Sequence, residues 1–335
     1  MKTRTKAFGW SASRVARTAT LTLALICGID VCAPNALAAG EPTKVTVGVL
    51  PSIEAIPIYV AEAKGYFAEE GIVVSVQRFQ GGPAVLQAVL AGAAQFAHAG
   101  TIPFINATNN HAPLLAIGVN SVFNAHTKTL GIFVRKDSKI KTIKDLVGHQ
   151  VAINQRGNME ATIFALRTLP AEGLSASSVQ TLELPYPLMQ KAVVGGRVDA
   201  AIGIPPFTAL MQNDDNLRLV GYLDQYIPNP GYAVTFAVVQ ADYAKSHPDV
   251  VKGYVAALSK GLTFARENPD AAAAIVANAF NLPLKVAASF STYEYPPSET
   301  AVDPATWKNI VTEMKKTGAI PDSYDISPYV DIAGH

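Results

Sequence analysis

Beyond residue 43 the chain alternates short apolar runs with stretches whose apolar residues recur at helical spacing. Residues 44–50 (KVTVGVL) alternate apolar and polar positions, the period-two pattern of a strand. Residues 57–67 follow with Ile58, Ala61 and Tyr66 near helical spacing, predicting one helix. Residues 72–79 form the next predicted strand. Then come Gly81-Gly82 and a helix over 83–91 with proline in its first turn. A strand over 95–98, a helix over 101–109 and strands over 114–119 and 129–134 complete this half. Such alternation predicts a mostly parallel sheet covered by helices on both faces.

The pattern restarts mid-chain, with strands predicted over 150–153, 179–184 and 198–202 and helices over 158–172, 187–195 and 206–212. An internal echo accompanies the restart. PAVLQAVLAGAAQFAHAG at 83–100 aligns with PLMQKAVVGGRVDAAIGI at 187–204, with Pro83/Pro187, Ala88/Ala192, Val89/Val193, Gly92/Gly196 and Ala97/Ala201 identical at constant offset. Two lobes on one plan are expected. After a strand over 233–239, four helices opening at or just after prolines are predicted over 248–267, 269–280, 283–292 and 304–317. No linker rich in Gly, Ser or Pro intervenes, so strands crossing near 131–136 and 222–236 are expected to join the lobes. Lobe one is then 39–132 plus 229–335, and lobe two 133–228.

The N-terminus changes how composition is read. Lys2, Arg4, Lys6, Arg14 and Arg17 precede an uncharged stretch over 18–29, and Ala36-Leu37-Ala38 follows. This predicts a secretory signal peptide over 1–38, too short in its apolar part to span a bilayer. Its removal turns a formal charge of +1 into −3, with 22 Lys+Arg against 25 Asp+Glu, and takes away both cysteines, Cys27 and Cys32. Cysteine nucleophiles, disulfides and Cys-ligated metals are thereby excluded from the mature chain. The lack of a basic excess excludes nucleic acid as a partner.

In open α/β sheets ligands bind beyond the carboxyl ends of strands, which turns the strands into a short set of loops. Lobe one offers Ser52-Ile53-Glu54, Gly81-Gly82 and Gly100-Thr101; lobe two offers 154–158, Pro185-Tyr186 and 204–207. Gly81-Gly82 either presents N–H groups to an anion at a helix start or makes only a tight turn. Thr101 either meets a ligand or caps its helix. Asn158 can cap the helix after it, while Arg156 either forks an anion or faces solvent. Tyr186, Phe207, Tyr232 and Phe123 could pack on an organic ligand or on each other.

Enzyme signatures are scarce. There is no G-x-S-x-G, Walker, G-x-G-x-x-G or H-E-x-x-H sequence, and the histidines are too scattered for a local metal pair. No cofactor or metal is expected. His98 stands at a predicted strand end facing the cleft, and Glu54 and Glu160 are carboxylates in or beside the loops. Glu54 would suit an amino group.

IPIYVAEAKGYFAEEGIVVSV at 56–76, followed by QGG, VLAGAAQFAHAG and NQRGNMEA, resembles the substrate-binding proteins of ABC importers for aliphatic sulfonates, taurine, nitrate and pyrimidine precursors. The resemblance implies a two-lobed periplasmic binding protein (type II) whose lobes, joined by two hinge strands, close on a ligand. It implies a periplasmic, monomeric receptor for a small, anionic, sulfonate-like solute, delivered to an ABC permease and ATPase complex. An aromatic carboxylate, nitrate or pyrimidine-type ligand, an enzyme on this scaffold, and a sensor without a transporter are the alternatives. Site residues implied are Ser52, Ile53, Gly81, Gly82, Gly100, Thr101, Gly157 and Asn158. Asn158 stands where the family often has serine, Gln95 where it often has aspartate, and Ile204 where it often has an aromatic.

Overall fold

The computed structural model describes residues 41–50, 52–123, 126–228, 231–288 and 303–332, which hold two five-stranded sheets. The signal-peptide region lies outside them. The strands are β1 (Thr43–Val49), β2 (Ile72–Arg78), β3 (Phe96–Gly100), β4 (Leu114–Phe123), β5 (Gly131–Arg135), β6 (Gln150–Ile153), β7 (Gln180–Glu183), β8 (Ala200–Gly203), β9 (Leu217–Tyr222) and β10 (Tyr232–Gln240). Their spatial orders are β2-β1-β3-β10-β4 and β7-β6-β8-β5-β9.

Each sheet is mostly parallel, as expected: four of its five strands run the same way, and one, β10 or β5, runs against its two neighbours. β1 runs parallel to β2 and β3, while β10 runs antiparallel to β3 and β4. β6 runs parallel to β7 and β8, while β5 runs antiparallel to β8 and β9. The reversal arises because β5 and β10 enter their sheets directly from the other one. The chain passes from one sheet to the other between β4 and β5 and again between β9 and β10, so β5 and β10 are interior strands beyond the two crossings.

The two sheets repeat one construction. After the helix Gly82–Leu90, the Ala93 and Ala94 N–H groups return to the Ala88 carbonyl; after the helix Tyr186–Val194, Arg197 and Val198 return to Ala192. The Thr46 N–H then donates to Gln95 Oε1 at 2.8 Å, and the Gln150 N–H to Asp199 Oδ2 at 2.9 Å. Gln95 therefore keeps the bond that aspartate makes in lobe two, since an amide oxygen accepts as a carboxylate does.

Two predicted helices are divided. The first runs over Ile56–Ala63 and stops at Gly65, whose φ of 77° is left-handed, before Tyr66–Glu69 resumes. The helix expected over 158–172 is α-helical at Met159–Ile163, widens into a π turn at Phe164–Thr168 and ends at Leu169–Ala171. Pro170 has no N–H to return to the preceding turn, and the wider turn accommodates that loss. β9 and the helix Ala241–Ser246 were not predicted. The core of lobe one includes Phe96 stacked on Tyr254 at 3.9 Å, both fully buried. Each such side chain contributes about 1.5–3 kcal/mol.

Candidate functional site

Loops following the strands of both sheets bring polar side chains together in the interior. After β1, Ser52 and Glu54 are buried, Glu54 at 4% exposure. Ile53 belongs to the same single turn, Ile53–Ala55. His98, inside β3, and Thr101, at the start of the helix after β3, are buried as well. From lobe two come Asn154, Asn158 and Glu160, the last at 3% exposure, and Tyr186. Asn158 Nδ2 donates to Asn154 Oδ1 at 2.7 Å, and its own Oδ1 accepts the Gly82 N–H at 3.3 Å. That bond joins the lobes. Asn158 occupies the cap position but makes no side-chain cap bond, because its amide is used across the gap instead.

An aromatic pair lies beyond β7 and β8. Tyr186 stacks on Phe207 with centroids 5.6 Å apart and planes 13° apart. Ile204, where an aromatic is frequent in the resembled family, is buried and leads into the cis Pro205-Pro206 bond before Phe207.

Burial sets the protonation of this cluster. Glu160 is pushed up to about 7 by desolvation, which outweighs hydrogen bonding from Tyr186, Asn158 and Asn154. Glu54 is raised for the same reason, against the Ser52 hydroxyl. His98 is lowered to about 3, so it is neutral near pH 7, although the Glu54 backbone offsets part of its desolvation. Tyr186 is raised well above the phenol range by burial and then by the charges of Glu160 and Glu54, one carboxylate from each lobe. One oxygen of each carboxylate, both His98 ring nitrogens and Thr101 Oγ1 lack a hydrogen-bond partner of normal geometry. The cap bond expected as one alternative for Thr101 is not made.

Residues 52–272 match the family model described as NMT1/THI5 like. The chain belongs to that family. An aliphatic-sulfonate-named binding protein of Escherichia coli (strain K12) is 29% identical over 67% of this chain and 67% of its own. The riboflavin-binding protein RibY of Chloroflexus aurantiacus is 28% identical over 72% of this chain and 67% of its own. The fold is shared with the alkanesulfonate-binding protein SsuA of Xanthomonas axonopodis pv. citri, solved with MOPS: TM-score 0.73, 22% identity, 87% of this chain and 99% of that one. These relatives are binding proteins.

Other expected residues of this family member lie elsewhere. Arg156 faces solvent, its side chain 75% exposed, and its Nε lies 3.5 Å from Glu183 Oε1. With Gly157 and Asn106 it borders a separate 720 Å³ groove lined by Ile102, Leu166 and Met314. Tyr232 sits with Arg167 and Glu313, and burial raises its phenol to about 12, with Arg167 opposing and Glu313 adding to the rise. Glu160, His98 and Asn154 are the functional candidates that pattern reading undervalued. The signal was the end of the strand predicted over 95–98 for His98 and the NQRGNME run for Asn154 and Glu160; pairing across the lobes had no sequence signature.

Proposed function

We propose that the chain is the extracytoplasmic solute-binding protein of an ABC importer, working as a monomer that closes two lobes on a small organic solute and hands it to the permease and ATPase complex. The observation carrying this reading is the junction of buried polar groups from both lobes, in which the Gly82 amide meets Asn158 and Glu54 and Glu160 both act on Tyr186. A solute touching both lobes stabilises the closed form by the difference between its affinities for closed and open states. The names of the relatives support a sulfonate-like anionic group on the solute, received by backbone N–H groups at the starts of Gly82–Leu90 and Thr101–Asn109. Ser52, Ile53, Gly81, Gly100 and Thr101 line this side in the proposal. A periplasmic location is part of the proposal, supported by a relative named as a taurine-binding periplasmic protein of Escherichia coli (strain K12) and by the expected signal peptide. In this role the protein binds without turnover.

A thermal-shift screen of ligand-stripped protein tests the reading, with sulfonates, nitrate, aromatic carboxylates and pyrimidines as probes. A cognate solute at 100 times its Kd adds about 2.7 kcal/mol of stability. No shift with any class, or chemical turnover of a bound probe, would contradict it.

A further inference from the structure

Glu54 and Glu160 approach Tyr186 from opposite lobes, each buried and each with one oxygen that has no hydrogen-bond partner of normal geometry among the described residues. Leaving a buried acceptor unmade costs about 1–3 kcal/mol, more if it is charged, so such a pair persists where something else supplies the donors. The supply is not a basic residue. Among the described residues, the groups acting on these carboxyls and on Tyr186 are Ser52, Asn154, Asn158 and the carboxyls themselves, and Arg156 is turned to solvent. His98 beside Glu54 is neutral with both ring nitrogens unpartnered, so one offers a further lone pair. Tyr186, on which both carboxyls act, stacks on Phe207 and so joins an aromatic ring pair to them.

We infer that Glu54 and Glu160 form a cation subsite, closed only when the lobes meet, which receives a protonated nitrogen of the solute while Tyr186 and Phe207 pack on its organic part. This rests on the solute-binding reading and narrows it: the solute carries an ammonium or amidinium-type group, whether or not it also carries an anionic end. Binding requires Glu160 to be ionised, and its proton leaves to solvent. At pH 6 most ligand-free protein must first give up that proton, which weakens binding about tenfold relative to pH 8. An anion entering the same place requires both carboxyls protonated, so its affinity falls as pH rises through about 7.

Calorimetric titration of ligand-stripped full chain with matched probes decides the matter: taurine against 2-hydroxyethanesulfonate, benzylamine against benzyl alcohol, benzamidine against benzoate. The expected result is that binding is confined to nitrogen members, that affinity rises about tenfold from pH 6 to pH 8, and that Glu160→Gln removes this pH dependence. The wild-type pH dependence needs no variant and so does not rest on one folding. Equal or tighter binding by an oxygen or anionic member, or affinity falling with pH, overturns the cation subsite and leaves the receptor reading intact. Silence from every probe here and in the wider screen overturns both.

Discussion

Arg167 and Glu313 meet at 2.8 Å although they belong to different lobes. Arg167 stands in the π turn of lobe two and also donates through Nε and Nη2 to the Tyr226 carbonyl, at the second crossing. Glu313 stands on the helix Ala305–Lys316, packed on β10 of lobe one. The pair therefore ties the two lobes together in the arrangement described, and at 28% and 20% side-chain exposure it is largely withdrawn from water.

Glu313→Gln should thus favour the open form and weaken solute affinity by about three- to tenfold, roughly 1 kcal/mol. Ligand-free melting should change little. Isothermal titration of both proteins with one binding solute provides the check, and unchanged affinity would show that the pair does not bias closure.

Asp224 ties the two crossings together. Its carboxylate accepts the Leu130 N–H at 2.7 Å, the Thr129 N–H at 3.1 Å and the Thr127 hydroxyl at 2.7 Å, so the second crossing holds the first. Asp224→Ala would leave buried amides unpaired and should cost about 2 kcal/mol or more. Chemical denaturation measures this directly, and a loss below about 0.5 kcal/mol, the range of ordinary surface changes, would refute the assignment.

Gly81 and Gly82 should respond differently to alanine. A Cβ on Gly82 would lie 2.6 Å from Pro103 Cγ, a ring that cannot turn aside, and 3.2 Å from Asn158 Oδ1. Gly82→Ala should lower stability by about 1–3 kcal/mol even without solute. A Cβ on Gly81 meets the movable end of the Gln155 side chain, across the gap, and lies 3.3 Å from Asn154 Oδ1, with no ring or backbone atom among its nearest neighbours, so Gly81→Ala should keep the melting temperature and weaken binding. Differential scanning calorimetry paired with a binding titration separates the two, and equal melting losses would count against the distinction.

Much of this was legible from residue pattern, because strand and helix periods differ and β-to-α loops fall where ligands bind. Ser52, Glu54, Gly82, Asn158, Tyr186 and Phe207 came from that rule, and the structure brings them together. Arg156 did not join them: its charge suggested an anion site, but Glu183 at the end of β7 holds it at the surface. β9 was missed because LRLVGY is an edge strand with intermediate burial along most of its length and lacks a clean alternation. The burial of Glu160 was invisible for a different reason. Its surroundings come from lobe one as well as lobe two, and no local window contains both.

Ligand-free stability should carry the signature of Glu160. Its folded value, about 7, lies above the ordinary 4.5, so the folded state holds the proton more tightly than the unfolded chain. Stabilisation is full below about pH 4.5 and is lost as pH rises through about 7. Glu160→Gln lacks that loss. Its melting temperature should therefore gain on the wild type between pH 5 and pH 8, and a gap that is constant with pH would contradict the burial assigned to the carboxyl.

The most direct test of the central claim is native mass spectrometry of the protein isolated from its host without denaturation. The account predicts a one-to-one complex with a single small solute containing a basic nitrogen, released on unfolding and retained less by Glu54→Gln and Glu160→Gln. A bare protein that takes up no solute on back-titration would contradict it.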